Sequence, residues 1–186
     1  MTYKIKSKYS DKCLNIYGEN IKSLRNNKNI CLWSDTGTDE QKWEIVTSNG
    51  ISYIKSHIDT EYGLNVFRSR KLWNCDVHII KGNEKDAKLI LEQNDSYFKI
   101  KLAEYPGFCL TAGGMTNGAN VYWDDNDVSD KQLWSISECD GKILNMPVNT
   151  NQKYRSNPEW IRSYGCAVCC EADVASYYDS SKNYSI

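Results

Sequence analysis

The sequence predicts an all-β chain built from three related units of about 45 residues, and three observations carry that expectation. The triplet Gln41-Lys42-Trp43 returns as Gln132-Leu133-Trp134, 91 residues further on. Three segments open successive units: Tyr3-Lys4-Ile5-Lys6-Ser7, Tyr53-Ile54-Lys55-Ser56 and Tyr97-Phe98-Lys99-Ile100-Lys101. Each is followed by its own landmark, Cys13-Leu14-Asn15, Gly63-Leu64-Asn65 or Cys109-Leu110-Thr111. Short apolar runs alternate with turn clusters roughly every eight to twelve residues, the pattern of a barrel or a sandwich. No helical period interrupts it before position 139.

Residues 1–48 read as four strands, bounded by Ser10-Asp11-Lys12, Gly18-Glu19-Asn20, Asn26-Asn27-Lys28-Asn29 and Asp35-Thr36-Gly37-Thr38. Asn49-Gly50 turns the chain into the second unit, which runs to about Asn94 with Gly82-Asn83 before its last strand. The third holds Tyr105-Pro106-Gly107, Gly113-Gly114, Asn117-Gly118 and Asp124-Asp125-Asn126-Asp127. A Gln-x-Trp on a strand puts both large side chains on one face, which Ile45 and Ile136 continue. The indole then anchors a core while the amide fixes a neighbouring loop. In the second unit Ala87-Lys88-Leu89 stands where the triplet should be and keeps only the apolar position, Leu89.

Composition narrows the partners. Twenty-three basic and 24 acidic residues are spread evenly, for a net charge of −1. With no basic run, nucleic acid and anionic membrane surfaces are poor partners. No apolar stretch reaches the roughly 18 residues of a membrane span. Met1-Thr2-Tyr3-Lys4-Ile5 leads straight into the first unit without a signal peptide, so the compartment stays open. The eight cysteines are thinly spread, and Cys13 and Cys109 hold equivalent places. They read as buried thiols rather than a disulfide framework. His57 and His78 lack metal-ligand spacing with each other or with a cysteine pair, so neither metal nor cofactor is expected.

Three four-strand units, each with a C-L-N-like and a Q-x-W-like landmark, resemble the ricin-type β-trefoil lectins. The resemblance implies a trefoil over 1–138, with twelve strands forming a six-stranded barrel and three capping hairpins. It also implies one shallow sugar pocket per repeat. There a carboxylate or amide after the C-L landmark grips two hydroxyls, a ring stacks on a galactose-like sugar, and the Gln and the residue before it give support. Carried onto this chain, the first repeat offers Asn15, Trp33, Glu40 and Gln41, and the third offers Thr111, Trp123, Asp125 and Gln132. The family's usual Asp is replaced by Asn15, Asn65 and Thr111. The second repeat lacks both Gln and Trp, with Ile79 or His78 at the ring position, and is expected to be inactive. Strand parity turns Ile30 and Leu32 inward and Trp33 outward; Asn120 and Tyr122 leave Trp123 outward likewise.

Past Cys139-Asp140-Gly141 the pattern changes. Residues 143–148 are a short extended segment, 149–162 a polar loop, and 164–178 the one helical stretch, striped by Val168, Ala172 and Ala175. Gly165-Cys166 at a helix start puts a thiol where the helix dipole lowers its pKa. Met146-Pro147-Val148, Gln152, Trp160 and Tyr164-Gly165-Cys166-Ala167-Val168 resemble the opening of papain-like (C39-like) cysteine peptidases. The resemblance implies Cys166 as nucleophile and Gln152 in the oxyanion hole. Only twenty residues follow Cys166 and none is a His, so residues beyond Ile186 or a partner chain would have to complete such an enzyme.

The expected function is a lectin module for galactose- or N-acetylgalactosamine-type glycans that targets an attached effector or peptidase domain. That function favours a secreted or surface-directed protein. Its rivals are a lectin-armed peptidase and a protein-binding trefoil that has lost its sugar sites. The 166–178 helix needs a surface to cover its stripe, from the trefoil, a partner chain or a further domain.

Overall fold

Ile5, Ile54 and Ile100 sit at the middle of the opening strand of each unit, sealed from solvent. The computed structural model describes residues 1–19, 21–66, 75–81 and 86–139, with the main chain alone for 75–81. The sequence-expected linker and helix of 139–186, with Gln152 and Cys166, lie outside the described residues from 140 onward.

The first unit holds β1 (Tyr3–Ser7), β2 (Cys13–Ile16), β3 (Lys28–Trp33) and β4 (Trp43–Ser48). The second holds β5 (Ile51–Ser56), β6 (Tyr62–Val66), β7 (Cys75–Lys81) and β8 (Leu89–Asn94). The third holds β9 (Tyr97–Leu102), β10 (Phe108–Ala112), β11 (Val121–Asp125) and β12 (Trp134–Glu138). Asn49 and Gly50 both adopt positive φ, 52° and 77°, as a tight primed turn between β4 and β5 requires.

Pairing closes a barrel. β1 bonds β12 and β4, β4 bonds β5, β5 bonds β8, β8 bonds β9, and β9 returns to β12. The hairpins β2–β3, β6–β7 and β10–β11 form the cap. Their inner strands meet in one repeated register: Asn29 faces His78, Asp76 faces Tyr122, and Cys31 faces Asn120. This is a β-trefoil.

The two Trp-bearing strands and their leucine counterpart show how the core absorbs the difference between repeats. Trp43 pairs with Ser56 and Trp134 with Ser7, whereas Leu89 pairs with Leu102. A large ring faces a small serine, and a mid-sized leucine faces another, so local volume is kept. Each indole also donates its N–H inward, Trp43 to the Leu14 carbonyl at 3.1 Å and Trp134 to Leu110 at 2.9 Å. Cys13, Cys31 and Cys109 are buried free thiols, and Cys139 is an exposed one. Among the described residues no helix is long and apolar enough to cross a membrane.

Candidate functional site

The hairpin β2–β3 has two faces, set by strand alternation. Leu14 opposite Leu32 and Ile16 opposite Ile30 point into the core. Cys13 opposite Trp33 and Asn15 opposite Cys31 take the outer face. Trp33 is half-buried there, so part of its ring is accessible. Asn15 is nearly covered; its Nδ2 donates to the Ile16 carbonyl at 2.8 Å and lies 3.7 Å from Cys31 Sγ.

The 3-10 turn Asp39–Gln41 packs against β2 and buries Glu40 and Gln41. Gln41 is fully enclosed and works as a staple. Its Nε2 donates to the Ser34 carbonyl and its Oε1 accepts from the Thr36 N–H, both at 2.9 Å. Glu40 is also buried and accepts the Ile21 N–H at 2.6 Å, tying the β2–β3 loop down. Burial opposes its ionisation, yet the main-chain donors of Ile21 and Glu40 and the Thr38 hydroxyl together hold its carboxyl below the usual range.

The third repeat corrects one expectation. Trp123 is fully buried, not outward. Cross-strand register explains why: Trp123 faces Leu110 as Leu32 faces Leu14, so Asn120-Val121 corresponds to Asn29-Ile30. The position equivalent to Trp33 is therefore Asp124, opposite Cys109. The outward residues are the half-buried Tyr122 and Asp124. Gln132 repeats the staple, donating to the Asp125 carbonyl at 2.7 Å and the Thr111 hydroxyl at 3.1 Å and accepting the Asp127 N–H at 2.8 Å. Thr111 is buried and donates to the Cys109 carbonyl, while the Asp125 side chain is exposed. At Glu40's place stands Lys131, its Nζ 5.5 Å from the centre of the Tyr9 ring.

In the second repeat the register puts Ile80, opposite Gly63, where the first has Trp33 opposite Cys13. The ring position is thus neither Ile79 nor His78. Of the three equivalent places, only the first carries an aromatic residue.

Sequence reasoning missed the groups that surround Trp33. The turn after β10 runs beside β3: Gly118 N–H donates to the Leu32 carbonyl and Leu32 N–H to Ala119, both at 2.8 Å. Asp35, two residues past Trp33, is bridged by Lys4 at 2.8 Å and Lys6 at 3.5 Å. The Lys4 hydrogen bond holds the Asp35 carboxyl below its ordinary range. The sequence signal for the neighbouring turn was Gly113-Gly114 and Asn117-Gly118, which marked a bend but not what it would touch. His57 Nδ1 lies 3.3 Å from Glu44 on the exposed surface, apart from these groups in the sequence. Among the described residues no three His, Cys, Asp or Glu side chains are placed to hold a metal.

No protein-family model and no curated protein matches the chain. Several solved structures share its fold. The designed threefold-symmetric protein ThreeFoil aligns at a TM-score of 0.65 and 21% identity, over 78% of this chain and 99% of its own. A ricin B-like lectin from Macrolepiota procera, in complex with lactose, aligns at 0.60 and 16% identity, over 74% and 95%. The C-half of an earthworm R-type lectin, in complex with GalNAc, aligns at 0.55 and 17% identity, over 73% and 96%. At these identities the likeness speaks for the trefoil architecture.

Proposed function

We propose that the trefoil is a carbohydrate-binding module for galactose-type glycans, acting through the first repeat. One observation carries this: Trp33 alone among the three register-equivalent positions presents an aromatic ring on the outer face of its hairpin. A pyranose offers flat C–H patches that such a ring covers, and nearby polar groups can orient its hydroxyls. The lactose- and GalNAc-bound lectins of the same fold support the reading. With a single ring-bearing position the binding is weak, and useful affinity comes from multivalent display. Calorimetric titration with lactose and with GalNAc tests it. Millimolar binding that disappears in Trp33→Ala supports the proposal, and no heat from either sugar up to that range refutes it.

A second reading has its own observation. Asn15 and Glu40 spend hydrogen bonds within the chain, on Ile16 and Ile21. A trefoil that binds protein rather than sugar is consistent with such internal satisfaction, and a pull-down unaffected by free galactose would favour it.

The targeting of an attached effector, and a peptidase built around Cys166 and Gln152, rest on the sequence resemblance of 146–178 alone. Alkylation of Cys166 at neutral pH, faster than that of a free cysteine, would support a thiolate there.

A further inference from the structure

We infer that the Trp33 site selects a sugar bearing a carboxylate, held at the seam between the first and third repeats. This rests on the carbohydrate-binding reading above and adds its substrate class.

The seam is made by the main chain. Gly118 and Ala119 of the third repeat exchange hydrogen bonds with Leu32, which lays the 113–119 turn along the flank of Trp33. Gly118 has φ of +82°, a conformation glycine adopts without strain. A Cβ built there would stand 3.8 Å from Trp33 Cζ3, so a larger side chain at this place would lie against that edge of the half-buried indole.

The polar groups beside this edge are donors. Asn117 Oδ1 accepts the Ser34 N–H at 2.9 Å and the Ser34 hydroxyl at 3.0 Å. Because a main-chain N–H can only donate, it fixes which end of the amide faces Ser34. The Nδ2 group is the end left over, on an exposed residue. Lys12 Nζ donates to the same Ser34 hydroxyl at 3.2 Å, and an ammonium has further protons to give.

Of the nearby acidic groups, Asp11 is exposed and lies 3.8 Å from Lys6, and the other two are already engaged. Glu40 holds the Ile21 N–H, and Asp35 is bridged by Lys4 and Lys6. What the site offers an incoming ligand is therefore a ring edge, an amide N–H and an ammonium. A carboxylate on the stacked sugar would accept from both donors. Such charge-assisted bonds are roughly twice as strong as neutral ones. A hydroxymethyl group in the same place gains less.

The test uses two sugars that differ at one carbon, methyl β-galactopyranoside and its 6-carboxylate, the methyl galactosiduronate. Both are titrated calorimetrically into the full chain and into Lys12→Met, Asn117→Ala and Trp33→Ala, with urea midpoints confirming that each variant is folded. The uronate is expected to bind at least about fivefold more tightly than the neutral sugar. That advantage should shrink toward unity in Lys12→Met and Asn117→Ala, because the uronate loses more affinity than the neutral sugar in each. Trp33→Ala should weaken both. Equal affinities, or a preference for the neutral sugar, overturn the inference and leave the carbohydrate reading standing. An advantage that survives both donor substitutions overturns the placement. Failure of both sugars to bind removes the carbohydrate reading and this inference with it.

Discussion

The Trp43 indole N–H donates to the Leu14 carbonyl, and Trp134 makes the equivalent bond to Leu110, while the buried Trp123 Nε1 has no hydrogen-bond partner among the described residues. The same side chain thus does two different jobs in one core. Trp43→Phe and Trp134→Phe each strand a buried carbonyl, at a cost of about 2–3 kcal/mol once lost packing is included. Trp123→Phe removes an orphaned donor and should cost about 1 kcal/mol less than either. Urea midpoints of the three variants check the order; an equal loss in all three would contradict it.

The two stapling glutamines should act locally. In Gln41→Ala the Thr36 amide loses its acceptor, and in Gln132→Ala the Asp127 amide loses its own. Each variant is expected to lose about 1–3 kcal/mol. Hydrogen exchange should speed up at Thr36 in the first and at Asp127 in the second, without crossing over. Acceleration at both sites in either variant would show that the staples are not independent.

The threefold β architecture was legible because its markers are repeated and chemically distinctive. Gln41 with Trp43 and Gln132 with Trp134 were expected on one strand; each Gln instead closes a 3-10 turn just before the strand its Trp opens, and all four side chains are buried. The misplaced residue was Trp123, matched to Trp33 by identity. The better anchor was the pair Asn29-Ile30 and Asn120-Val121, because the inward positions Ile30 and Val121 fix the phase of each strand. From there Leu32 and Trp123 both fall inward. The seam around Trp33 could not be read, since Asn117 reaches Ser34 from 83 residues away and only the cap's register brings them together.

The buried thiols should resist alkylation. Burial pushes Cys13 and Cys109 up to about 11 from an ordinary 9.0, with nearby charges adding smaller effects, and burial also raises Cys31. At pH 8 iodoacetamide should therefore label Cys139 before Cys13, Cys31 or Cys109, as mass spectrometry of peptides would show. The folded state favours the protonated thiols. Their contribution to stability is thus complete below pH 9 and declines as pH rises toward 11. A urea midpoint that rose over that interval would contradict the assignment.

Glu40 should guard the β2–β3 loop. Its carboxylate holds the Ile21 N–H, and Lys22 and Arg25 lie exposed just beyond. Glu40→Ala is expected to make tryptic cleavage after Lys22 and Arg25 several-fold faster than in the wild type, since local opening becomes easier. The folded carboxyl titrates below its ordinary 4.5, so its stabilisation is present above that pH and is lost as pH falls through the folded value. Unchanged cleavage in Glu40→Ala would show that the loop is held by other contacts, such as the buried Leu24.

The central claim is that the accessible indole of Trp33 meets the ligand while the other trefoil indoles with described side chains serve the core. Two-dimensional NMR of indole N–H resonances, each assigned by single substitution, reads this directly during titration with lactose. The account predicts a saturable shift at Trp33, with Trp43, Trp123 and Trp134 essentially still. A titration that moved Trp123 and left Trp33 in place, or moved none of the four, would contradict it.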